Sequence, residues 1–494
     1  MMKVQFLLKN TGMHERLGIM TLSSILKQQG HSVRLLLTED LAASACIDRI
    51  KDFAPHVLAY SIMTGEHTYH IALNQMIRKH YDCFSVFGGP HPTFAPDMIS
   101  KKDVDAVCRG EGDISFVRLL ERMDQGRNFY DIANFWFKTK NGQIIRNDIA
   151  PLVQDLDNLP FPDRQLLYDA DPALRVKSDK LFMAMRGCPY ECAYCFNHAY
   201  NKLIRGRGAV VRVRSVANVL AEIQAVKDRY PLEFVYIDDD TFLVKPSGWI
   251  EEFAEQFPRL IGLPLICNVR ANLLSQDRMG KLLRQMGCRK VWMGVECGNN
   301  DVATKLLRRN ITNDQIAQAC AILHHHQIRI VTQNLIGLPV EDPLAVDLQT
   351  LDFNIRLKPD FGWSSIFYPY PDTAMGMISV QNGMFAGTFE NGQVSNKTGS
   401  VLEFRDVRVK RRLINLHKLF GLIVQFPFLR RFALFLISLP LTTLYTWLFF
   451  AFYGYKTVIK RSGIIGLSKK LRVYIPFYIR YVSRLEQRRL FRQQ

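Results

Sequence analysis

Three cysteines share one short stretch, Arg186-Gly187-Cys188-Pro189-Tyr190-Glu191-Cys192-Ala193-Tyr194-Cys195, at the spacing Cys-x-x-x-Cys-x-x-Cys. Three thiolates can hold three irons of a cubane cluster and leave the fourth iron open, whereas electron-transfer clusters take four cysteines. A structural zinc site needs a second pair of ligands to close its tetrahedron. None follows nearby, since the next cysteine is Cys267, alone. An open iron is what a cluster requires if it is to bind and reduce a substrate rather than only pass electrons. A three-thiol zinc or redox site is the alternative.

The stretch resembles the signature of the radical S-adenosylmethionine (SAM) superfamily, this spacing with an aromatic before the third cysteine, here Tyr194. The resemblance implies a 4Fe–4S cluster on Cys188, Cys192 and Cys195. It also implies that SAM chelates the free iron through its amino and carboxylate groups and is cleaved to a 5′-deoxyadenosyl radical. Further polar motifs fall at successive strand ends, as in barrels whose sites sit on that face. Phe234 to Ile237 leads into Asp238-Asp239-Asp240-Thr241-Phe242, and three adjacent carboxylates cannot all be buried and charged without partners. Asp239 and Asp240 match the Asp-Asp-x-Phe form of the cobalamin-linked branch, which implies contact with the SAM ammonium; an acidic helix N-terminus is the alternative. Arg270 and Glu296 end the next two apolar runs, and the resemblance implies contacts with SAM's carboxylate and ribose. A structural ion pair is the other reading of both. Gly337, in Asn334-Leu335-Ile336-Gly337-Leu338-Pro339, resembles the fifth-strand motif beside adenine.

Ahead of the cysteines, short apolar strands alternate with amphipathic helices. Val4 to Leu8, Ser32 to Leu37, Val57 to Ser61 and Phe84 to Gly89 read as strands, Leu17 to Gln29 and His67 to His80 as helices. That alternation predicts a parallel doubly wound sheet, whose ligands bind beyond the carboxyl ends of the strands. Ser61-Ile62-Met63 and Gly88-Gly89-Pro90-His91-Pro92 fall there. With Leu17-Gly18 and Cys108-Arg109-Gly110-Glu111-Gly112-Asp113, they resemble the cobalamin-binding domain found ahead of many radical SAM cores. The resemblance implies that Ser61, Gly88, Gly89 and His91 lie beside cobalamin, the two glycines letting a large flat ligand approach the backbone. Domains that give a histidine to cobalt carry Asp-x-His-x-x-Gly after the first strand. Here that loop is Lys9-Asn10-Thr11-Gly12-Met13-His14-Glu15-Arg16-Leu17-Gly18, without the Asp and with the wrong spacing. The implied binding mode has the cobalamin tail tucked into the sheet and no protein histidine on cobalt. A degenerate Rossmann domain that holds no cofactor is the alternative, and His14 and His91, taken singly, read as ordinary loop histidines.

An α/β protein is therefore expected. Residues 1–130 form a doubly wound, Rossmann-like cobalamin-binding domain. Residues 131–175 form a connector with a hairpin at Asn141-Gly142 and an extended strap from Asp155 to Pro162. Residues 176–385 form a partial (β/α)6 radical SAM barrel, and 386–494 a mainly helical segment. Leu181 to Met185 reads as the strand that delivers the cysteines, and Ser215 as the N-cap of a helix reaching Arg229. His324-His325-His326 ends a helix that begins near Asn313. Adjacent helical positions diverge, so this triplet reads as a solvated helix end rather than a shared metal site.

The charge is concentrated at one end. Of a net +18 over 494 residues, residues 401–494 hold +16, from 19 Lys/Arg against Glu403, Asp406 and Glu486, leaving +2 for the rest. A nearly neutral body argues against general nucleic-acid binding. The other cysteines are scattered in apolar settings as small buried hydrophobes. The first residues have too short an apolar core for a signal peptide, so the reducing cytoplasm is the expected compartment. In the tail, Arg405 to Lys418 reads as a basic helix. Phe432 to Tyr455 is an uncharged run of 24 residues, against the ~20 apolar residues that span a bilayer. Pro440 interrupts it, and Arg430-Arg431 before it and Lys456, Lys460 and Arg461 after it make both flanks basic. That pattern fits an in-plane or re-entrant helix pair on the inner membrane better than a single span. Lys469-Lys470, Arg472, Tyr474, Phe477, Tyr478, Arg480 and Tyr481 add anchors of the same kind; a soluble helical cap over the active site is the alternative. The expected function is cobalamin-dependent radical SAM chemistry on a small lipophilic substrate such as an isoprenoid or tetrapyrrole, with a flavodoxin or ferredoxin as reducing partner. C-methylation is favoured over oxidative cyclisation or rearrangement, and a non-catalytic iron–sulfur sensor is the reading from another class.

Overall fold

The computed structural model describes residues 1–386, 399–454 and 456. Strands that are apolar on both faces need cover on both sides, which parallel sheets obtain from crossover helices. β1 (Lys3–Leu8), β2 (Ser32–Leu37), β3 (Val57–Ser61), β4 (Phe84–Gly88) and β5 (Ala106–Cys108) run parallel in the order β2-β1-β3-β4-β5. Phe6 and Ala59 pack into the core on one face, Leu7 and Leu58 into the core on the other. The strand order reverses between β1 and β3, so the crevice for a ligand opens at their carboxyl ends. The hairpin assigned to the connector belongs to this sheet. β6 (Phe135–Lys138) pairs antiparallel with β5, and β7 (Ile144–Arg146) with β6.

β8 (Asp179–Phe182) opens the second sheet. The chain then leaves it for a two-residue ladder of β9 (Met185–Arg186) on β10 (Arg212–Val213). The single strand expected over Leu181 to Met185 is thus split. The cause is Asp239, whose carboxylate takes the Ala184 and Met185 N–H groups at 2.8 and 3.0 Å, where a neighbouring strand would otherwise bond. β11 (Phe234–Ile237), β12 (Leu265–Val269), β13 (Cys288–Glu296), β14 (Arg329–Ile336) and β15 (Phe361–Ile366) follow. All six pair in parallel in the order β8-β11-β12-β13-β14-β15, spatial order equal to chain order, as in a barrel wall that stops short of closing. Ser215 caps the helix Val216–Arg229, its side chain accepting from Asn218 N–H.

The free margin of β8 is covered by the N-terminal domain. Glu15 accepts the Leu181 N–H, and Arg164 donates to the Leu181 carbonyl at 2.7 Å. The free margin of β15 is covered by the tail helix Val407–Gln425, which buries Leu413, Leu416, Phe420 and Ile423 against Ile336 and Leu351. Contact there is backbone-close. A Cβ on Gly421 would lie 2.9 Å from the Gly362 carbonyl, so only glycine fits. The uncharged run beyond breaks at Pro440 into two helices, Ala433–Ser438 and Thr442–Gly454. Among the described residues no helix is long and apolar enough to cross a membrane. The expected anchors from Lys460 onward lie outside the described residues.

Candidate active site

The cysteine loop runs from β9 into the helix Phe196–Leu203. Its entry admits only glycine: Gly187 has φ +89°, and a Cβ there would sit 2.0 Å from the Val210 carbonyl. Cys195 N–H closes a turn onto the Cys192 carbonyl at 3.0 Å, and Asn201 donates to the Cys188 carbonyl at 2.9 Å. Burial pushes the Cys188 thiol up to about 11 and the Cys195 thiol up to about 12. These sulfurs become thiolates when a cation binds them, the usual coupling of metal binding to deprotonation. Arg270, just past β12, packs against this loop. Its guanidinium lies 3.9 Å over the Tyr190 ring and 3.3 Å from Cys192 Sγ, with Nε buried and unpartnered. A donor aimed at a ligand sulfur suits an anionic iron–sulfur centre.

The predicted carboxylates divide by role. Asp239 is buried, bonded to the two β8–β9 amides and to Lys245 Nζ at 2.7 Å, so it holds the approach to the cysteine loop in place. Asp240 faces the loop, hydrogen-bonded to Asn197 beside Cys195, its carboxyl raised by burial against that bond. Asp238 accepts from Asn268 at 3.3 Å, and burial lifts it to about 6. Glu296 sits at φ +65°, a backbone state that non-glycine residues adopt only under constraint, where the β13–β14 register shifts. Burial raises its carboxyl, against the pull of Arg309, whose Nη1 is 3.3 Å away. The same Nη1 donates to Tyr194 OH at 2.8 Å, and Nη2 to the Gly294 carbonyl at 2.7 Å. Arg309 thus ties Tyr194 of the cysteine loop to Glu296 of the barrel. Sequence reasoning missed it, because it follows the π-helical turn Val302–Leu306 and no strand end points to it. Gly337, with φ +74°, donates to Asp347 at 2.9 Å, and Leu413 and Phe404 of the tail lie against it.

Ser61, Gly88, Gly89 and His91 come together at the carboxyl ends of β3 and β4. Ile62 N–H bonds the Gly88 carbonyl at 2.8 Å, and His91 N–H the Ile62 carbonyl at 3.0 Å. Gly89 is required by the protein itself, since a Cβ would meet Ile62 N at 2.8 Å; close approach of a flat ligand is not needed to explain it. His91 is buried and stacked on His67 with ring centres 4.0 Å apart, and burial together with His67 pushes it down to about 3. His70 is fully buried between Tyr60 and Tyr69 with both ring nitrogens unpartnered. Two such orphaned atoms beside the end of β3 fit a polar cofactor tail entering between sheet and helix. The β1 loop is tied to the connector. Glu15 takes Arg164 at 2.7 Å and also Tyr168 OH, Thr11 bonds Asp171, and His14 is exposed.

The carboxyl edge of the first sheet faces the cysteine loop. Phe94 and Phe196 have ring centres 6.3 Å apart, and a Cβ on Gly110 would lie 3.4 Å from Tyr200 OH. Elsewhere, His325 and His326 converge more than helix geometry suggests, because His326 lies just past the last helical residue. A ring nitrogen of each and an Asp277 oxygen lie within 4.8 Å of one another, on the surface.

A cobalamin-type sheet held edge-on to a three-cysteine loop in an open parallel barrel defines a cobalamin-dependent radical SAM enzyme. Residues 6–120 match the B12 binding domain and residues 183–347 the radical SAM superfamily, and the chain belongs to the B12-binding radical SAM family. It is 27% identical over 379 residues to the uncharacterized methyltransferase PH0819 of Pyrococcus horikoshii, covering 74% of this chain and 79% of that one. It is 23% identical over 349 residues to the anaerobic magnesium-protoporphyrin IX monomethyl ester cyclase of Rubrivivax gelatinosus, covering 68% of this chain and 60% of that one. The cobalamin-dependent SAM radical enzyme OxsB, solved with aqua-cobalamin bound, superposes with a TM-score of 0.69 at 16% identity, over 100% of this chain and 81% of that one. The enzyme's cofactors are a 4Fe–4S cluster, SAM and cobalamin.

Proposed function

We propose that the enzyme transfers a methyl group to a carbon of a small lipophilic substrate. The observation that carries this reading is the apposition of the cobalamin-type edge and the cysteine loop, through Phe94 on Phe196 and Gly110 on Tyr200. Bound there, the cluster and SAM supply a 5′-deoxyadenosyl radical and cobalamin supplies a methyl group. The chain's own residues hold and orient these groups. Cys188, Cys192 and Cys195 ligate the cluster, with Arg270 donating to Cys192. Asp240 takes the SAM ammonium, Glu296 with Arg309 takes the ribose, and Gly337 lies beside adenine. Ser61, Gly88, Gly89, His91 and His70 border cobalamin. Electrons come from a small one-electron donor such as a flavodoxin or ferredoxin.

Methyl transfer is supported by the likeness to PH0819, itself named a methyltransferase. A lipophilic substrate is supported by the tail, which exposes Phe428, Phe432, Leu434, Phe435, Leu444 and Trp447 beside Arg431, while Arg430 is held by Asp352. Such a face suits the surface of an anionic leaflet on the cytoplasmic side, where a lipophilic substrate is stored. The likeness to the tetrapyrrole cyclase favours, as a second reading, oxidative cyclisation without methyl transfer. Anaerobic turnover of the reconstituted enzyme with a lipid extract separates the two. S-adenosylhomocysteine formed alongside 5′-deoxyadenosine is the expected result, and 5′-deoxyadenosine alone points to the cyclase reading.

A further inference from the structure

The segment Arg109-Gly110-Glu111-Gly112-Asp113 lies just beyond β5, at the cobalamin edge, yet its two carboxylates turn away from the crevice and toward the other domain. Asp113 accepts from both terminal nitrogens of Arg186, at 2.7 and 3.2 Å. Glu111 accepts from both terminal nitrogens of Arg212, at 2.8 and 2.6 Å, and its Oε2 also lies 3.3 Å from Arg186 Nη1. Arg186 and Arg212 are opposite one another in the β9–β10 ladder. Two forked guanidiniums on two carboxylates therefore grip the two strands that deliver the cysteine loop. Paired forks fix orientation as well as distance.

Each end of this grip is tied to further structure. On the first sheet, Asn134 donates to the Glu111 carbonyl at 2.7 Å while its own carbonyl accepts Arg109 N–H at 2.8 Å. On the other side only Gly187 separates Arg186 from Cys188, and the Val210 carbonyl leaves no room for a side chain at that glycine. A displacement of Arg186 is passed directly to the first cluster ligand. A pair serving stability alone has no need to sit next to Cys188 on one side and the end of β5 on the other.

We propose that Glu111 and Asp113 are positioning residues that set the separation of the iron–sulfur cluster from cobalamin, acting through Arg186 and Arg212 without touching either cofactor. The proposal rests on the two-cofactor reading above.

The test uses the full-length enzyme reconstituted with cluster and cob(II)alamin, and it needs no substrate. A reduced 4Fe–4S cluster and cob(II)alamin each carry an unpaired electron, and the relaxation each induces in the other falls with the sixth power of their distance. Paramagnetic resonance of wild type should show faster cob(II)alamin relaxation when the cluster is reduced. If wild type binds no cob(II)alamin, the two-cofactor reading fails, which is a separate outcome. In the E111Q/D113N variant, iron and cobalamin contents are expected to match wild type while the enhancement drops about threefold or more, the change produced when the separation lengthens by about a fifth once both forks are lost. R186K, which keeps the charge but loses the fork, should show a smaller drop of the same sign, and D113E should recover most of the enhancement. An unchanged enhancement in E111Q/D113N overturns the proposal. If that variant loses its cofactors, R186K decides: unchanged enhancement, or loss of loading there too, marks a fold-stabilising pair and overturns it as well.

Discussion

At the scale of single residues, charge state follows from enclosure. His70 and His91 are buried, and burial, with His67 adding to it for His91, pushes both from 6.5 down to about 3. The unfolded chain binds protons at these positions near the ordinary histidine value, while the folded chain refuses them down to about pH 3. Their contribution to stability is whole above pH 6.5 and drains as acid is added, by about 2 kcal/mol per histidine at pH 5. Thermal unfolding should accordingly shift down between pH 7.5 and pH 5, and replacing His70 with Leu should remove part of that shift. A midpoint independent of pH over this range would contradict the burial argument. The three cysteines were legible because a chemical requirement fixes their spacing on one loop. Arg309 was not, since a guanidinium joining Tyr194 to Glu296 across more than a hundred residues leaves no local trace. Asp239 was legible as a carboxylate at a strand end, but sequence does not reveal that Lys245 and two backbone amides already surround it.

At the scale of elements, period and length located almost every strand of both sheets, since burial on two faces leaves a continuous apolar run. What sequence did not give was which sheet a short strand joins. The hairpin at Phe135–Lys138 and Ile144–Arg146 reads as a free-standing connector until its pairing with β5 is seen. The joint between the domains depends on a chain of buried charges: Glu15, Arg164, Glu222 and Arg214. Replacing one member of such a chain strands its partners. Arg164→Met should lower the free energy of unfolding by about 3–5 kcal/mol, by leaving Glu15 buried without a cation and Glu222 with Arg214 alone. Denaturant titration at pH 7 measures it, and a loss below about 1 kcal/mol would mean that the joint tolerates unpaired carboxylates.

At the scale of the whole molecule, the described part of the tail packs beside the last strand and leaves Phe428, Phe432, Leu434, Phe435, Leu444 and Trp447 exposed, the face proposed above to meet a membrane. Vesicles containing phosphatidylserine should carry the protein upward in a flotation gradient, with less carried at 0.5 M salt because the arginine contribution is screened, about 1 kcal/mol per basic residue being at stake. Changing Phe435 and Trp447 to Ser should abolish flotation without altering cluster content; unchanged flotation would remove the tail as the anchor. The tail was legible in composition but not in placement, because nothing in its sequence says that Gly421 seats on Gly362 of the last strand. The opposite margin of the half-barrel has a consequence of its own. With Glu15 taking the Leu181 N–H and Arg164 giving to its carbonyl, a carboxylate and a guanidinium stand in for an absent seventh strand. An extended polypeptide arriving at that border finds the donor and acceptor of Leu181 already taken, which works against guests that dock by lengthening the sheet there.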